Sequence, residues 1–179
     1  MTTTDILNFW FREITPAQWW KADPDFDRLI EARFLPVLQQ AMQGELFGWR
    51  ETPQGRLAEI IVLDQFSRNV WRGTPQAFAQ DAMALALSQE AVHSGALALL
   101  QPDECAFLLL PYMHSESCLI HATAETLFRD HTPANNYEFE LKHKRIIDRF
   151  GRYPHRNAIL GRDSTAEELE FLKQPGSGF

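Results

Sequence analysis

Apolar residues along this chain recur three and four positions apart, the spacing that gathers them on one face of a helix. Ile6, Phe9 and Trp10 open the series. Phe26, Leu29, Ile30, Phe34, Val37, Leu38, Ala41 and Met42 continue it, and Pro36 within that run is expected to kink the helix. Further faces run through Leu57, Ile60, Ile61 and Leu63, then through 78–92, 105–128 and 139–150, and close with Leu169 and Leu172. The punctuation agrees. Thr15-Pro16, Asp23-Pro24, Thr52-Pro53, Thr74-Pro75 and Thr132-Pro133 each place a capping oxygen before a proline, whose missing N–H costs nothing at the first helical position. Ser164 with Glu167 reads as a capping box, and Gly44, Gly95 and Gly151 lie where helical patterns stop. The pattern predicts an all-α fold of seven to nine helices in stacked antiparallel hairpins. It is expected to form a single domain over residues 1–173, with Gln174 to Phe179 as a frayed tail.

Composition sharpens that picture. The 21 Leu and 19 Ala outnumber 4 Val and 9 Ile, which favours helix because β-branched side chains lose rotamer freedom there. With 17 basic against 24 acidic residues the net charge is −7, which opposes attraction to phosphate backbones and anionic lipid, so nucleic acid and membrane are not expected partners. Two cysteines, Cys105 and Cys118, are too few for a disulfide scaffold and suit reduced thiols in a cytoplasmic protein. The first residues lack the basic region of a signal peptide. The longest apolar run, Cys105 to Met113, contains Pro111 and falls well short of the roughly 20 residues that span a bilayer.

The chemistry-bearing residues cluster. Arg68, Asn69 and Arg72 share one short connection; Arg152, His155, Arg156, Asn157 and Arg162 share another. The triplets Ser67-Arg68-Asn69 and His155-Arg156-Asn157 echo each other, as do the stretches around Asp64-Gln65-Phe66 and Asp148-Arg149-Phe150. Stacked helical hairpins would produce such an echo. Guanidinium groups beside a helix start can hold a carboxylate or phosphate, because each offers planar paired donors. The competing reading is structural: the arginines pair with Asp64, Asp81, Asp148 or Glu116 and pin the loops.

Between 111 and 118 polar side chains interrupt an apolar helix. His114, Cys118 and His121 would share a helical face at metal-ligand spacing, but no fourth ligand is evident, so neither a metal nor another cofactor is expected. His114 and Glu116, two apart, cannot face each other on a regular helix. Either could meet a partner from another helix, and His143 is a candidate. For proton transfer the candidates are His114, Glu116, His143 and His155; for anion binding they are Arg68, Asn69, Arg72, Arg152, Arg156 and Asn157. No nucleophile elbow, phosphate loop or dinucleotide fingerprint occurs. Trp10, Trp19, Trp20, Trp49 and Trp71 flank helix ends and read as core.

Phe9-Trp10-Phe11, the run Leu63 to Asn69, Pro111 with His114-Ser115-Glu116, and the run Phe150 to Asn157 together resemble a family of bacterial proteins classified only as a domain of unknown function. The likeness spans nearly the whole chain. It implies an all-α fold similar to tetratricopeptide-type hairpins, and no activity. Two positions depart from the family pattern: Ser67 stands where proline is usual, and Tyr153 where phenylalanine is usual.

Three functional classes follow. One is a protein that holds a small anionic molecule between the two arginine-rich loops, with or without catalysis. A second is a helical-repeat scaffold that takes a peptide or partner protein, and a third is a homo-oligomer without a ligand. The direction in which the arginines point separates the first from the others.

Overall fold

The computed structural model describes residues 1–178. Helix makes up 74% of it, and no strand occurs among the described residues. Nine continuous helices, with short 3-10 turns between them, account for this among the described residues. They are α1 (Thr3–Asn8, extended by a π turn, Phe9–Glu13), α2 (Pro16–Trp20), α3 (Pro24–Met42) and α4 (Pro53–Ile61, extended through a π turn, Val62–Phe66, to Ser67–Val70). Then follow α5 (Asp81–His93), α6 (Pro102–Met113), α7 (Cys118–His131), α8 (Ala134–Phe150) and α9 (Ala166–Phe171).

The apolar spacing explains where the core lies. Every residue from 57 to 67 is buried, so α4 is not an amphipathic surface helix; it is surrounded by α1, α3, α5 and α6. Phe9, Phe34 and Phe66 meet there with ring centroids 4.6 to 6.2 Å apart. Beyond it, α5, α6, α7 and α8 each pack on the next along the chain, a succession that fits stacked hairpins. A second, smaller cluster of Ile146, Ile147 and Tyr153, with Phe150 and Phe171, ties α9 to the end of α8.

Caps set the boundaries, with instructive departures. The Thr52 hydroxyl accepts from Gly55 N–H at 3.0 Å, and Asp23 accepts from Asp25 N–H at 2.9 Å. Thr74-Pro75 instead opens a 3-10 turn, Pro75–Phe78, and α5 starts only at Asp81. Thr132 turns its hydroxyl back to the Phe128 carbonyl at 2.7 Å and closes α7, leaving Pro133 as the cap of α8. The capping box before α9 lies one residue later than expected, on Thr165 and Glu168. α3 continues without interruption through Pro36, whose side is exposed, so water can satisfy the carbonyl of Ala32 that proline leaves without a donor. Gly151 stops α8 in the left-handed region, φ 66°, its N–H reaching the Ile147 carbonyl at 2.8 Å.

The helix expected through 114–118 is broken. His114 caps the end of α6, and Ser115, Glu116 and Ser117 run outside helix before α7 begins. The tail turns back on itself, with Ser177 Oγ donating to the Leu172 carbonyl at 3.1 Å; Phe179, the last residue of the expected tail, lies outside the described residues. No helix among the described residues is long and apolar enough to cross a membrane.

Candidate functional site

Six segments meet around one cavity of about 520 Å³. The end of α2 supplies Trp19 and Trp20, and the end of α4 with the loop after it supplies Arg68, Asn69 and Arg72. Phe78 comes from the 3-10 turn, His114 from the end of α6, His143 from α8, and Tyr153, His155 and Arg156 from the chain after α8. The volume is within the range of small-molecule sites, about 300–1,000 Å³.

The π turn of α4 places Asp64 beneath the cavity. Its carboxylate is 1% exposed, takes hydrogen bonds from His114 Nδ1 at 2.7 Å and from the Gln65 amide, and lies 3.0 Å from the Arg68 guanidinium, which donates to the Asp64 backbone carbonyl. Burial opposes its charge, but Arg68 and His114 outweigh that and hold the carboxyl well below the usual range. A carboxylate only accepts, so His114 carries its proton on Nδ1, and Nε2 keeps a lone pair with no partner among the described residues. Burial, reinforced by the Arg68 charge, keeps the imidazole neutral by pushing its pKa down. This is the arrangement in which a histidine accepts a proton.

The arginines are not equivalent. Arg68 forks onto Asp81 with both terminal nitrogens, at 2.9 and 3.0 Å, in addition to Asp64. Arg72 forks onto Asp27 at 2.6 and 2.8 Å, and Asn69 donates to the same carboxylate at 2.8 Å, which ties the end of α4 to the start of α3. Arg156 is 6% exposed, and its one anionic contact among the described residues is a 3.3 Å approach to the Asp81 oxygen already used by Arg68. Its Nε is sealed from solvent and has no hydrogen-bond partner among the described residues. The guanidinium is packed over the rings of Phe78 and Tyr153, 4.7 and 4.6 Å from their centroids. Burial and the Arg68 charge both disfavour its cation.

Three residues expected at the site lie elsewhere. Arg152 forks onto Glu168 at 2.6 and 2.8 Å; Asn157 is fully buried between Ser164, Glu168 and Arg162. Glu116 accepts two bonds from Arg162, at 2.6 and 2.9 Å, and one from the Tyr153 N–H at 2.7 Å. Those residues form a structural lattice that fixes the 151–165 loop and thereby aims Arg156. Of the carboxylates expected to neutralise arginines, Asp64, Asp81 and Glu116 do so, while Asp148 pairs with Lys144.

The other histidines are held differently. His143 donates from Nδ1 to the Phe139 carbonyl at 2.8 Å, and burial drives its pKa down to about 3. Burial lowers His155 to about 4. His121, which the expected continuous helix would have aligned with His114 and Cys118, is fully buried behind the cavity. Its Nδ1 meets Glu140 at 2.7 Å and its Nε2–H reaches the Ser115 carbonyl at 2.9 Å, so both ring nitrogens are used. Burial raises the Glu140 carboxyl. No group of three or more metal-ligating side chains occurs among the described residues.

Two features of the site were not anticipated. Trp20, expected in the core, is 59% exposed at the cavity wall. Asp64, expected as an arginine partner, also orients His114; nothing in the local sequence links residues 50 apart.

The sequence profile of a family described as "Bacterial protein of unknown function (DUF924)" matches residues 6–176. The solved structure of a protein of unknown function from Agrobacterium tumefaciens is similar, with a TM-score of 0.91 and 34% identity, covering 96% of each chain. Among curated proteins none matches. With its fold and nearly its full length shared in this way, the chain belongs to this bacterial family of unknown function.

Proposed function

We propose that the cavity binds a small anionic molecule whose charge is taken by Arg156, with His114 as the group that can accept a proton from it or from a water beside it. One observation carries the reading: Arg156 is a buried guanidinium whose only carboxylate contact among the described residues is long and already committed to Arg68. A buried cation left this poorly matched is costly unless something else supplies the counter-charge. Arg68 and Arg72 are saturated by Asp64, Asp81 and Asp27, so their role is to hold the floor of the cavity. Arg152 and Asn157 act one layer further out. His114 joins a tautomer fixed by Asp64 to an Nε2 without a partner among the described residues, on the cavity wall. Glu116 is spent on Arg162 and His143 Nδ1 on the Phe139 carbonyl; burial lowers the pKa of His114, His143 and His155 alike, so it is the orientation of His114 by Asp64, not basicity, that favours it.

The test is the unfolding midpoint of the wild type and Arg156→Gln, with and without phosphate or succinate. A ligand at one hundred times its Kd stabilises by about 2.7 kcal/mol. Stabilisation of the wild type that disappears in Arg156→Gln is the expected result. A wild type that responds to neither anion removes the reading.

A further inference from the structure

Resting on the reading of His114 as the proton acceptor, we infer that Glu140, His121 and Tyr153 form a buried clamp on the backbone either side of His114. Glu140 and His121 are its positioning residues: neither lines the cavity, and both act on His114 through the Ser115 carbonyl.

The break after α6 gives the clamp its purpose. Where a helix stops, backbone groups lose their partners in the next turn and must find others. Here side chains supply them. The Tyr153 hydroxyl donates to the Met113 carbonyl at 2.5 Å, and His121 Nε2–H donates to the Ser115 carbonyl at 2.9 Å. The His114 N–H goes to the Leu110 carbonyl at 2.9 Å and that of Ser115 to Tyr112 at 3.2 Å. The turn that carries His114 is therefore held from both sides.

Proton placement makes His121 a permanent donor. A carbonyl only accepts, and the nearby Tyr153 oxygen, 3.2 Å from Nε2, has its own proton on Met113. Nε2 thus faces acceptors and carries a proton. Nδ1 lies 2.7 Å from Glu140 Oε1, so one further proton must sit between them. Imidazolium with carboxylate and imidazole with carboxylic acid both keep Nε2–H on Ser115; burial, which raises the Glu140 carboxyl, favours the second. Both residues are fully buried, and Glu140 Oε2 has no partner among the described residues, so this carboxyl hydrogen-bonds His121 alone among them.

What the clamp sets is the aim of His114. The ring must meet Asp64, which arrives on α4, at 2.7 Å. A turn free to shift would lengthen that bond, and Nε2 would lose its fixed direction into the cavity.

The experiment is NMR at pH 7 of the exchange of the His114 Nδ1 proton with water. It compares the wild type, Glu140→Gln, Tyr153→Phe and a double variant, His121→Phe with Glu140→Leu. Exchanging both members of a buried polar pair for apolar side chains of similar volume is often neutral for stability, so the double variant is expected to fold while losing the bond to Ser115. The double variant and Tyr153→Phe are expected to exchange about tenfold faster than the wild type. Glu140→Gln, whose amide still donates to His121 Nδ1, is expected to match the wild type. Wild-type protection in the double variant, or a Glu140→Gln as fast as the double variant, overturns the inference and leaves the reading of His114 intact. If the double variant does not fold, Tyr153→Phe decides by the same comparison, since it keeps the ring against Arg156 and removes only the bond to Met113. A wild type without a protected Nδ1 proton removes the reading of His114 and the inference with it.

Discussion

His114 and Asp64, fifty residues apart in sequence, meet with Nδ1 2.7 Å from Oδ1 at the junction of α6 and α4. The contact fixes the tautomer of the histidine and gives the buried carboxylate a second partner beside Arg68. Asp64→Asn keeps the shape but removes the charge that holds both. The expected cost is about 3–5 kcal/mol, the usual consequence of breaking a buried pair from one side. The nitrogen shifts of His114 in an NMR spectrum should also lose the pure Nδ1–H signature. Wild-type stability in the variant would show that Asp64 does not carry a buried charge.

Arg68 and Arg156 occupy matching positions in the two echoed triplets, yet their surroundings predict opposite behaviour. Arg68→Gln strands Asp64 and Asp81, so we expect it to destabilise by about 3–5 kcal/mol. Arg156→Gln gives up one 3.3 Å contact and relieves a crowded cation, so its cost should be clearly smaller. Urea denaturation of both variants measures the difference. Equal losses would mean that the two arginines are both structural.

The helices were legible because apolar spacing and cap–proline pairs act locally. What the local signals could not resolve was competition between neighbours. Thr132 can cap either the helix before it or the one after it, and it caps the one before. Thr165 displaced Ser164 as the cap because Glu168, not Glu167, returns its carboxylate to the cap N–H at 2.7 Å. Arg68, Arg72 and Arg156, clustered in the sequence, line one cavity, but the clustering could not tell a saturated guanidinium from an unsaturated one. That depends on Asp27, Asp81 and Glu168, which arrive from distant helices. Trp20 was misread for the same reason: exposure is a tertiary property.

Acid should weaken the protein before its carboxylates titrate. The pKa of His143 lies near 3 and that of His155 near 4, against about 6.5 in the unfolded chain. Between those values the unfolded state binds more protons, so stability is full above pH 6.5 and falls as pH drops toward 4. Each histidine contributes a slope of at most about 1.4 kcal/mol per pH unit. Asp64 adds a further loss only below about pH 4, where the unfolded chain's carboxylate takes up a proton while the folded one, its pKa depressed, still does not. Urea midpoints at pH 7, 6 and 5 check this. His143→Asn, whose amide can still donate to the Phe139 carbonyl, should flatten the slope; an unchanged slope would assign the acid sensitivity to other groups.

Gly55 offers a test of packing where propensity points the wrong way. It lies in the first turn of α4, where alanine would improve helix propensity by about 1 kcal/mol. A Cβ there would sit 1.9 Å from the Trp49 carbonyl oxygen and 2.8 Å from its carbon, and these are backbone atoms that cannot swing aside. The 3-10 turn Phe47–Glu51 would have to move off the helix. That motion would strain the Thr52 cap on Gly55 N–H and the fork of Arg50 on buried Glu59, at 2.7 Å on both prongs. Overpacking typically costs about 1–3 kcal/mol and a lost cap about 1 more, so the steric effect outweighs the propensity gain and Gly55→Ala should be destabilising. Gly48 provides the control, since its Cβ would meet nothing within 4 Å. Gly48→Ala should therefore leave the urea midpoint nearly unchanged while Gly55→Ala lowers it. A midpoint for Gly55→Ala at or above that of the wild type would mean that the turn yields freely and does not fix the start of α4.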